Sequence, residues 1–387
     1  MIERHAYRLV RQMAGGFPVV ALTGPRQSGK TTLARQAFPG KPYFSFEDLE
    51  IRQRVLADPR QFFAHLPDGA VLDEVQRCPE IFSYLQGVVD ERARMGEFVI
   101  TGSQQFGMTE RITQTLAGRV GLLHLLPLSL SELAQADLAG KSMEQVVWAG
   151  GYPALFDRRR QLENPAQWLS AYTATYIERD VRQVLAVSNL SLFQRFVLMC
   201  AARTGQLLNL SALASDCGIS HTTARSWLAV LEASYVVHLL QPYHQNFGKR
   251  LVKMPKLYFL DTGLLCHLLR IDSPRTLATH ALRGNVFESW VVAETLKHRW
   301  NQGLQADIHF WRDNHGAEVD LLFEYAGKLH AVEIKSGATF TPDWLHGCLR
   351  WQRYAGAVAA APVVVYGGSD SYQVNGVHVM AWRKLGG

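Results

Sequence analysis

At 387 residues the chain is long enough for two to three domains with separate cores. Its 48% hydrophobic content is ordinary for a globular protein, and its longest apolar stretch, Ala355 to Tyr366, is too short and too interrupted by Gly356 and Pro362 to span a membrane. The net charge of +6 permits nucleic-acid binding without proving it, and five scattered cysteines with no metal-ligand spacing read as reduced, mostly buried thiols of a cytoplasmic protein. The N-terminus, Met1-Ile2-Glu3-Arg4-His5, lacks a signal-peptide core and is expected to begin an amphipathic helix.

Val19 to Leu22 reads as a buried strand, and Gly24-Pro25-Arg26-Gln27-Ser28-Gly29-Lys30-Thr31 follows it with the phosphate-loop pattern G-x-x-x-x-G-K-[ST]. Thr32 to Ala37 continues as helix, so a bound phosphate would meet loop N–H groups at the positive end of that helix. Lys30 is expected on the outer phosphates of ATP and Thr31 on Mg²⁺. Pro42 to Phe46 is a further strand candidate. Ala70-Val71-Leu72 then leads into Asp73-Glu74, where Asp73 would hold Mg²⁺ through water and Glu74 would activate the attacking water. A strand end that simply caps a helix is the bland alternative. Phe98-Val99-Ile100 runs into Thr101-Gly102-Ser103-Gln104, so Ser103 could report on the γ-phosphate or merely begin a helix. These elements suit a P-loop fold with an additional strand and a catalytic glutamate. Arg119 precedes the fifth apolar run, Gly121 to Leu126, and reads either as a solvated surface residue or as a charge donor to a neighbouring subunit.

Pro127 to Leu133 opens a helical region in which Ser131 is a candidate cap. Gly150-Gly151-Tyr152-Pro153 marks a turn, and Ala166 to Leu185, with Tyr176-Ile177-Glu178-Arg179-Asp180, is expected to form a helical lid or connector. Leu210 to Val237 has the shape of a helix-turn-helix, with Ala214, Gly218, Ile219 and Leu228 at its small and apolar positions. His221, Thr222, Arg225 and Ser226 would face outward from its second helix. The basic segment His244, Lys249, Arg250 and Lys253 lies between two strand-like runs, as in the wing of a winged helix. That arrangement suits DNA contact, or else a spacer used for protein contacts.

Farther on, Gly284 to Glu288 starts a helix. Asp320 and the pair Glu333 and Lys335 fall on neighbouring strands of a hairpin, with Glu333 and Lys335 on one face. Two acids and a lysine converging on a sheet constitute the site of the restriction-endonuclease-like PD-(D/E)xK fold. Asp320 and Glu333 would bind Mg²⁺, Lys335 would orient water or stabilise charge, and Glu288 would assist. A solvated sheet face with alternating charges remains the structural alternative. Val319 stands before Asp320 where such nucleases often have proline, which leaves the fold intact and cleavage in doubt.

Taken together, the phosphate loop, Leu72-Asp73-Glu74, Thr101-Gly102-Ser103, Leu116 to Arg119, Gly150 to Pro153, Tyr176 to Asp180, Tyr258 to Leu264, Gly284 to Glu288 and Glu333-Ile334-Lys335 resemble a prokaryotic family. That family pairs an AAA+-like P-loop ATPase domain with a C-terminal domain of unknown function. The resemblance implies an α/β chain with an ATPase domain (1–130), a helical lid or connector (131–200), a winged helix (201–275) and a restriction-endonuclease-like α/β domain (276–387). It also implies a homo-oligomeric ring, expected to be a hexamer, in which Arg119 reaches the neighbour's γ-phosphate. The expected function is an ATP-hydrolysing motor on duplex or branched DNA, away from membranes. The alternatives are an ATP-gated metal-dependent nuclease of repair or defence, and a nucleotide-dependent switch of protein contacts.

Overall fold

The computed structural model describes residues 2–103, 112, 114–157, 165–177, 189–243, 254–313 and 315–385. Strand β1 (Val19–Thr23) is buried along its whole length, as expected of an apolar strand covered on both faces of a parallel sheet. It pairs in parallel with β4 (Phe98–Gly102) and β5 (Val120–His124). With β2 (Tyr43–Ser45) and β3 (Ala70–Asp73) the order is β2-β3-β4-β1-β5. Strand β4 thus separates the phosphate-loop strand from the strand that carries Asp73. Both strands point their C-terminal ends the same way, so Asp73 emerges beside the loop.

Helices Ala6–Gly16 and Lys30–Ala37 cover one face of this sheet through Val10, Leu33 and Ala34, and Ile81–Arg92 covers the other through Phe82 and Leu85. Past β5, the helix Leu130–Gln135 is capped by Ser129, which accepts from the Glu132 N–H while Glu132 returns to the Ser129 N–H. The capping residue is therefore Ser129 and not Ser131. Ser131 sits inside the first turn, with its hydroxyl 3.1 Å from that of Ser129. Helix Pro165–Tyr172 runs into a π-turn at Thr173–Ile177.

Helices Leu190–Ala201, Leu210–Cys217 and His221–Ala233 form the next unit. Gly218 closes the second helix in the left-handed region, and Ser220 caps the third. The antiparallel pair β7 (Val237–Pro242) and β8 (Lys256–Phe259) follows, with the short β6 (Gln206–Leu207) at its edge. Strand β7 also pairs in parallel with β9 (Ile308–Arg312) through Gln241 and Pro242. One nine-stranded sheet therefore runs on through β10 (Glu318–Tyr325), β11 (Lys328–Lys335), β12 (Val363–Tyr366), β14 (Val377–Ala381) and β13 (Tyr372–Val374). Alternate residues of β10 and β11 face different helices. Leu321, Val332 and Ile334 pack with the long helix Arg283–Asn301, while Val319, Leu322 and Ala331 pack with His346–Ala355. All five cysteines are buried and unpaired.

Candidate nucleotide site and C-terminal acidic centre

The phosphate loop is held by its surroundings. A side chain at Gly24 would place its Cβ 2.1 Å from the Leu125 carbonyl oxygen, so only glycine lets the loop leave β1 there. Lys30 is buried at the first position of its helix, and its ammonium donates to the Gly24 and Pro25 carbonyls at 3.0 and 2.7 Å. Arg4, which the sequence did not single out, braces the loop from outside. Its guanidinium donates to the Ser28 carbonyl at 2.6 Å, the Leu126 carbonyl at 2.7 Å and Glu132 at 3.0 Å. Burial works against the charge on Glu132, but Arg4 and the N–H groups of Ser129 and His5 outweigh it and hold the carboxyl below its usual range.

Asp73 accepts three hydroxyls. Thr31 Oγ1 lies 2.9 and 3.1 Å from its two oxygens, Tyr43 Oη lies 2.7 Å away, and Thr101 Oγ1 donates to Oδ1. Burial, then the bond to Asp73, pushes the Tyr43 phenol well above its ordinary range, so it stays a donor. Glu74 adopts a left-handed φ of 54°, uncommon outside glycine, and its Oε2 accepts from Ser103 Oγ at 3.1 Å and from Gln76 Nε2. Gln76 was not foreseen, because nothing in its spacing distinguishes it from a surface glutamine. The cleft beside these groups encloses about 1070 Å³; Gln27, Gly29, Lys30, Thr31, Thr32 and Glu74 form one wall, and Leu138, Pro153 and Phe156 line it further out. Arg26 lies 3.9 Å from Glu47. A buried hydroxyl and a buried carboxylate already in contact beside a buried ammonium form a donor set that fits Mg²⁺ and a triphosphate.

Arg119 stands at the opposite end of the sheet from its own phosphate loop, because Val120 pairs with Val19 at the start of β1. Its guanidinium forks onto Asp90, with one arm at 2.9 Å, on an exposed surface.

Polar contacts from Tyr235, Asp261, Glu294 and Lys297 tie the distant C-terminal half to the end of β1 and the chain that follows β5. Tyr235, which ends the turn after helix His221–Ala233, donates to Thr23 Oγ1 at 2.8 Å, and both touch His124 Nδ1 at 2.7 to 2.8 Å. Burial lowers the His124 imidazole to about 4, so it is neutral at physiological pH. Asp261 accepts the Gly151 N–H at 2.7 Å and the Leu264 N–H at 2.8 Å. Gly150 sits at φ 69°, where a Cβ would come within 2.5 Å of Asp261 Oδ1. From helix Arg283–Asn301, Lys297 donates to the Leu128 carbonyl at 3.0 Å and Glu294 accepts the Leu130 N–H at 2.8 Å.

The same long helix carries Glu288 to the second cluster. Glu288, Asp320, Glu333 and Lys335 do come together, and an unforeseen lysine stands among them. Lys256, at the head of β8, is 2.9 Å from Glu288 Oε1 and 3.6 Å from Asp320 Oδ1, and it also pairs with Glu318. Lys335 pairs with Glu333 and lies 3.9 Å from the other Asp320 oxygen. Burial first, then the charge of Asp320, raises the carboxyls of Glu288 and Glu333. Burial opposes the charge on Lys256, yet its acidic neighbours hold it protonated. The register of β10 against β9 shifts between Val319 and Leu322, a bulge that spans Asp320.

His221, Thr222 and Arg225 are exposed on the outer face of their helix. Lys249, Arg250 and Lys253, like Gln104 and Glu178 to Asp180, lie outside the described residues. Among the described residues no helix is long and apolar enough to cross a membrane.

Three known families match successive segments of the chain. Residues 16–134 match the family described as "AAA domain", residues 140–275 one described as "Domain of unknown function (DUF8612)", and residues 283–385 one described as "Domain of unknown function (DUF4143)". The chain is 34% identical over 343 residues to the uncharacterized protein Rv2008c of Mycobacterium tuberculosis, an alignment covering 88% of this chain and 75% of that protein. An uncharacterized protein of Haemophilus influenzae is 24% identical over 186 residues, or 45% of this chain and 46% of its own. Among solved structures, the Walker-type ATPase PABY2304 of Pyrococcus abyssi is similar at a TM-score of 0.49 and 13% identity, covering 70% of this chain and 96% of that one. The chain belongs to one family with the Mycobacterium protein, and it is an AAA+-like P-loop ATPase with a C-terminal domain of unknown function (DUF4143).

Proposed function

We propose that the protein is an oligomeric, Mg²⁺-dependent ATPase that works on duplex or branched DNA. The contact between Tyr235 and Thr23 carries this reading. It joins the end of the helix-turn-helix to the last residue before the phosphate loop, so a load on one is felt by the other. The exposed His221, Thr222 and Arg225, and a following segment with Lys249, Arg250 and Lys253 but no acid, supply the cationic and polar groups that DNA phosphates require.

In the nucleotide cleft, Lys30 binds the outer phosphates once it leaves the loop carbonyls. Thr31 and Asp73 would hold Mg²⁺, which would supply charge neutralisation at the phosphates. Glu74, released from Gln76, accepts a proton from the attacking water, and Ser103 keeps that carboxylate at the γ-phosphate end. Arg119 lies on the order of 15 Å along the sheet from its own loop, so it serves a neighbour's nucleotide after exchanging Asp90 for the γ-phosphate. This role makes the working form a ring.

The test is steady-state ATP hydrolysis without DNA, with single strands, with linear duplex and with a four-way junction, using Glu74→Gln as the blank. Stimulation by a duplex or branched form supports the reading. An active enzyme indifferent to every DNA overturns it and favours a switch of protein contacts.

A further inference from the structure

The nuclease-like arrangement of Asp320, Glu333 and Lys335 implies a divalent metal, and the residues present do not fit one. We propose that the acidic centre of the C-terminal domain takes the Lys256 ammonium as its cation and excludes a divalent metal, so this domain does not cleave DNA. The inference is independent of the DNA reading above.

The geometry of the ammonium carries the proposal. A lysine head group has three N–H donors and no acceptor. Here three carboxylates surround it, Glu288 at 2.9 Å, Asp320 at 3.6 Å and Glu318 in direct contact. Magnesium requires oxygens at roughly 2.1 Å in octahedral array and keeps several waters. A buried amine nitrogen at the focus of those oxygens leaves room for neither.

Other carboxylate oxygens of the centre also meet donors, Glu333 Oε2 excepted, which is buried without one. Asp320 Oδ2 accepts the Ile334 N–H at 2.9 Å and faces Lys335 at 3.9 Å. Tyr258 Oη donates to the same Glu288 oxygen that meets Lys256. Arg312 lies 3.2 Å from Glu318.

Charge gives the same result. Lys256, Lys335 and Arg312 stand against Glu288, Glu318, Asp320 and Glu333, so the centre is close to neutral with no metal. An incoming ion would have to displace an ammonium tethered to the fold, whose effective concentration no free ion approaches. Lys256, Asp320 and Glu333 are all buried. Among the described residues no group of three His, Cys, Asp or Glu side chains is arranged to hold a metal. Lys256 thereby acts as a staple between β8 and the C-terminal domain.

The test uses the full chain carrying Asp73→Asn, free of nucleotide, so that the first site contributes no metal. Bound Mn²⁺ is counted by electron paramagnetic resonance, and a thermal melt reports folding. With Lys256 present the expected count is zero. Folded Lys256→Met should gain one Mn²⁺ that Asp320→Asn removes, whereas Lys256→Arg should keep the count at zero. One Mn²⁺ bound beside an intact Lys256 and lost with Asp320→Asn overturns the proposal. So does a folded Lys256→Met protein that gains none. Should Lys256→Met fail to fold, the count on the Lys256-intact protein decides alone.

Discussion

Asp73 and Asp320 both emerge from strands beside a lysine, yet their surroundings are opposite. Asp73 is met by the neutral hydroxyls of Thr31, Tyr43 and Thr101, the first of which lines the nucleotide cleft. Asp320, equally buried, lies between two ammonium groups. Hydroxyls orient a carboxylate and leave its charge to be matched from outside, while ammonium groups match it at once. A carboxylate at a strand end is thus ready for a metal only when the fold withholds the countercharge.

The largest expected contrast between the two centres is catalytic. Glu74→Gln should lower kcat for ATP about a hundredfold or more with KM little changed, and Glu333→Ala should leave ATP turnover unaltered; steady-state kinetics on both variants checks this. If Glu333→Ala slowed ATP turnover, the separation drawn between the centres would fail.

The joint between the halves should respond next. Gly150→Ala forces a Cβ into a left-handed position 2.5 Å from Asp261, so urea unfolding should show a loss of about 3 kcal/mol or more.

A pH effect follows from His124. Its imidazole is lowered from 6.5 to about 4 by burial, so between those values the unfolded chain binds a proton that the folded one refuses. Stability is therefore full above pH 6.5 and falls as pH drops toward 4, by on the order of 3 kcal/mol for this group. His238, lowered to about 4 by burial, acts in the same direction. Denaturation midpoints across this window should flatten in part, but not wholly, in His124→Gln.

The smallest stability effect, on the order of 1 to 2 kcal/mol, belongs to Tyr235→Phe, which removes the hydroxyl that meets Thr23 and His124. It sharpens the comparison most. Basal ATP hydrolysis should survive while stimulation by DNA is lost, and hydrolysis assayed with and without DNA reads both.

The nucleotide site was largely legible because its chemistry lies in short contiguous stretches. Residues 19–31 and 70–74 each contain their own strand and functional groups, and parallel pairing does the rest. Arg4, Tyr43 and Tyr235 were invisible for a physical reason. They reach Ser28, Asp73 and Thr23 from 24, 30 and 212 positions away, across contacts that packing and not spacing creates. Lys256 did leave a trace. A lysine heading the otherwise apolar Lys256-Leu257-Tyr258-Phe259, a strand buried throughout, must meet an acid, since an unpaired buried ammonium is not tolerated. The convergence of Asp320, Glu333 and Lys335 was legible from the period of two along a hairpin, but their surroundings were not.

The helix Arg283–Asn301 touches both centres, with Glu288 at one and Glu294 and Lys297 at the other. Nine residues of helix separate Glu288 from Lys297, roughly 13 Å of rigid rod. An assembly built on the nucleotide domains would carry its C-terminal domains as spokes on a wheel, their pitch set by that rod. A turn of the hub would then be carried to the rim along that rod.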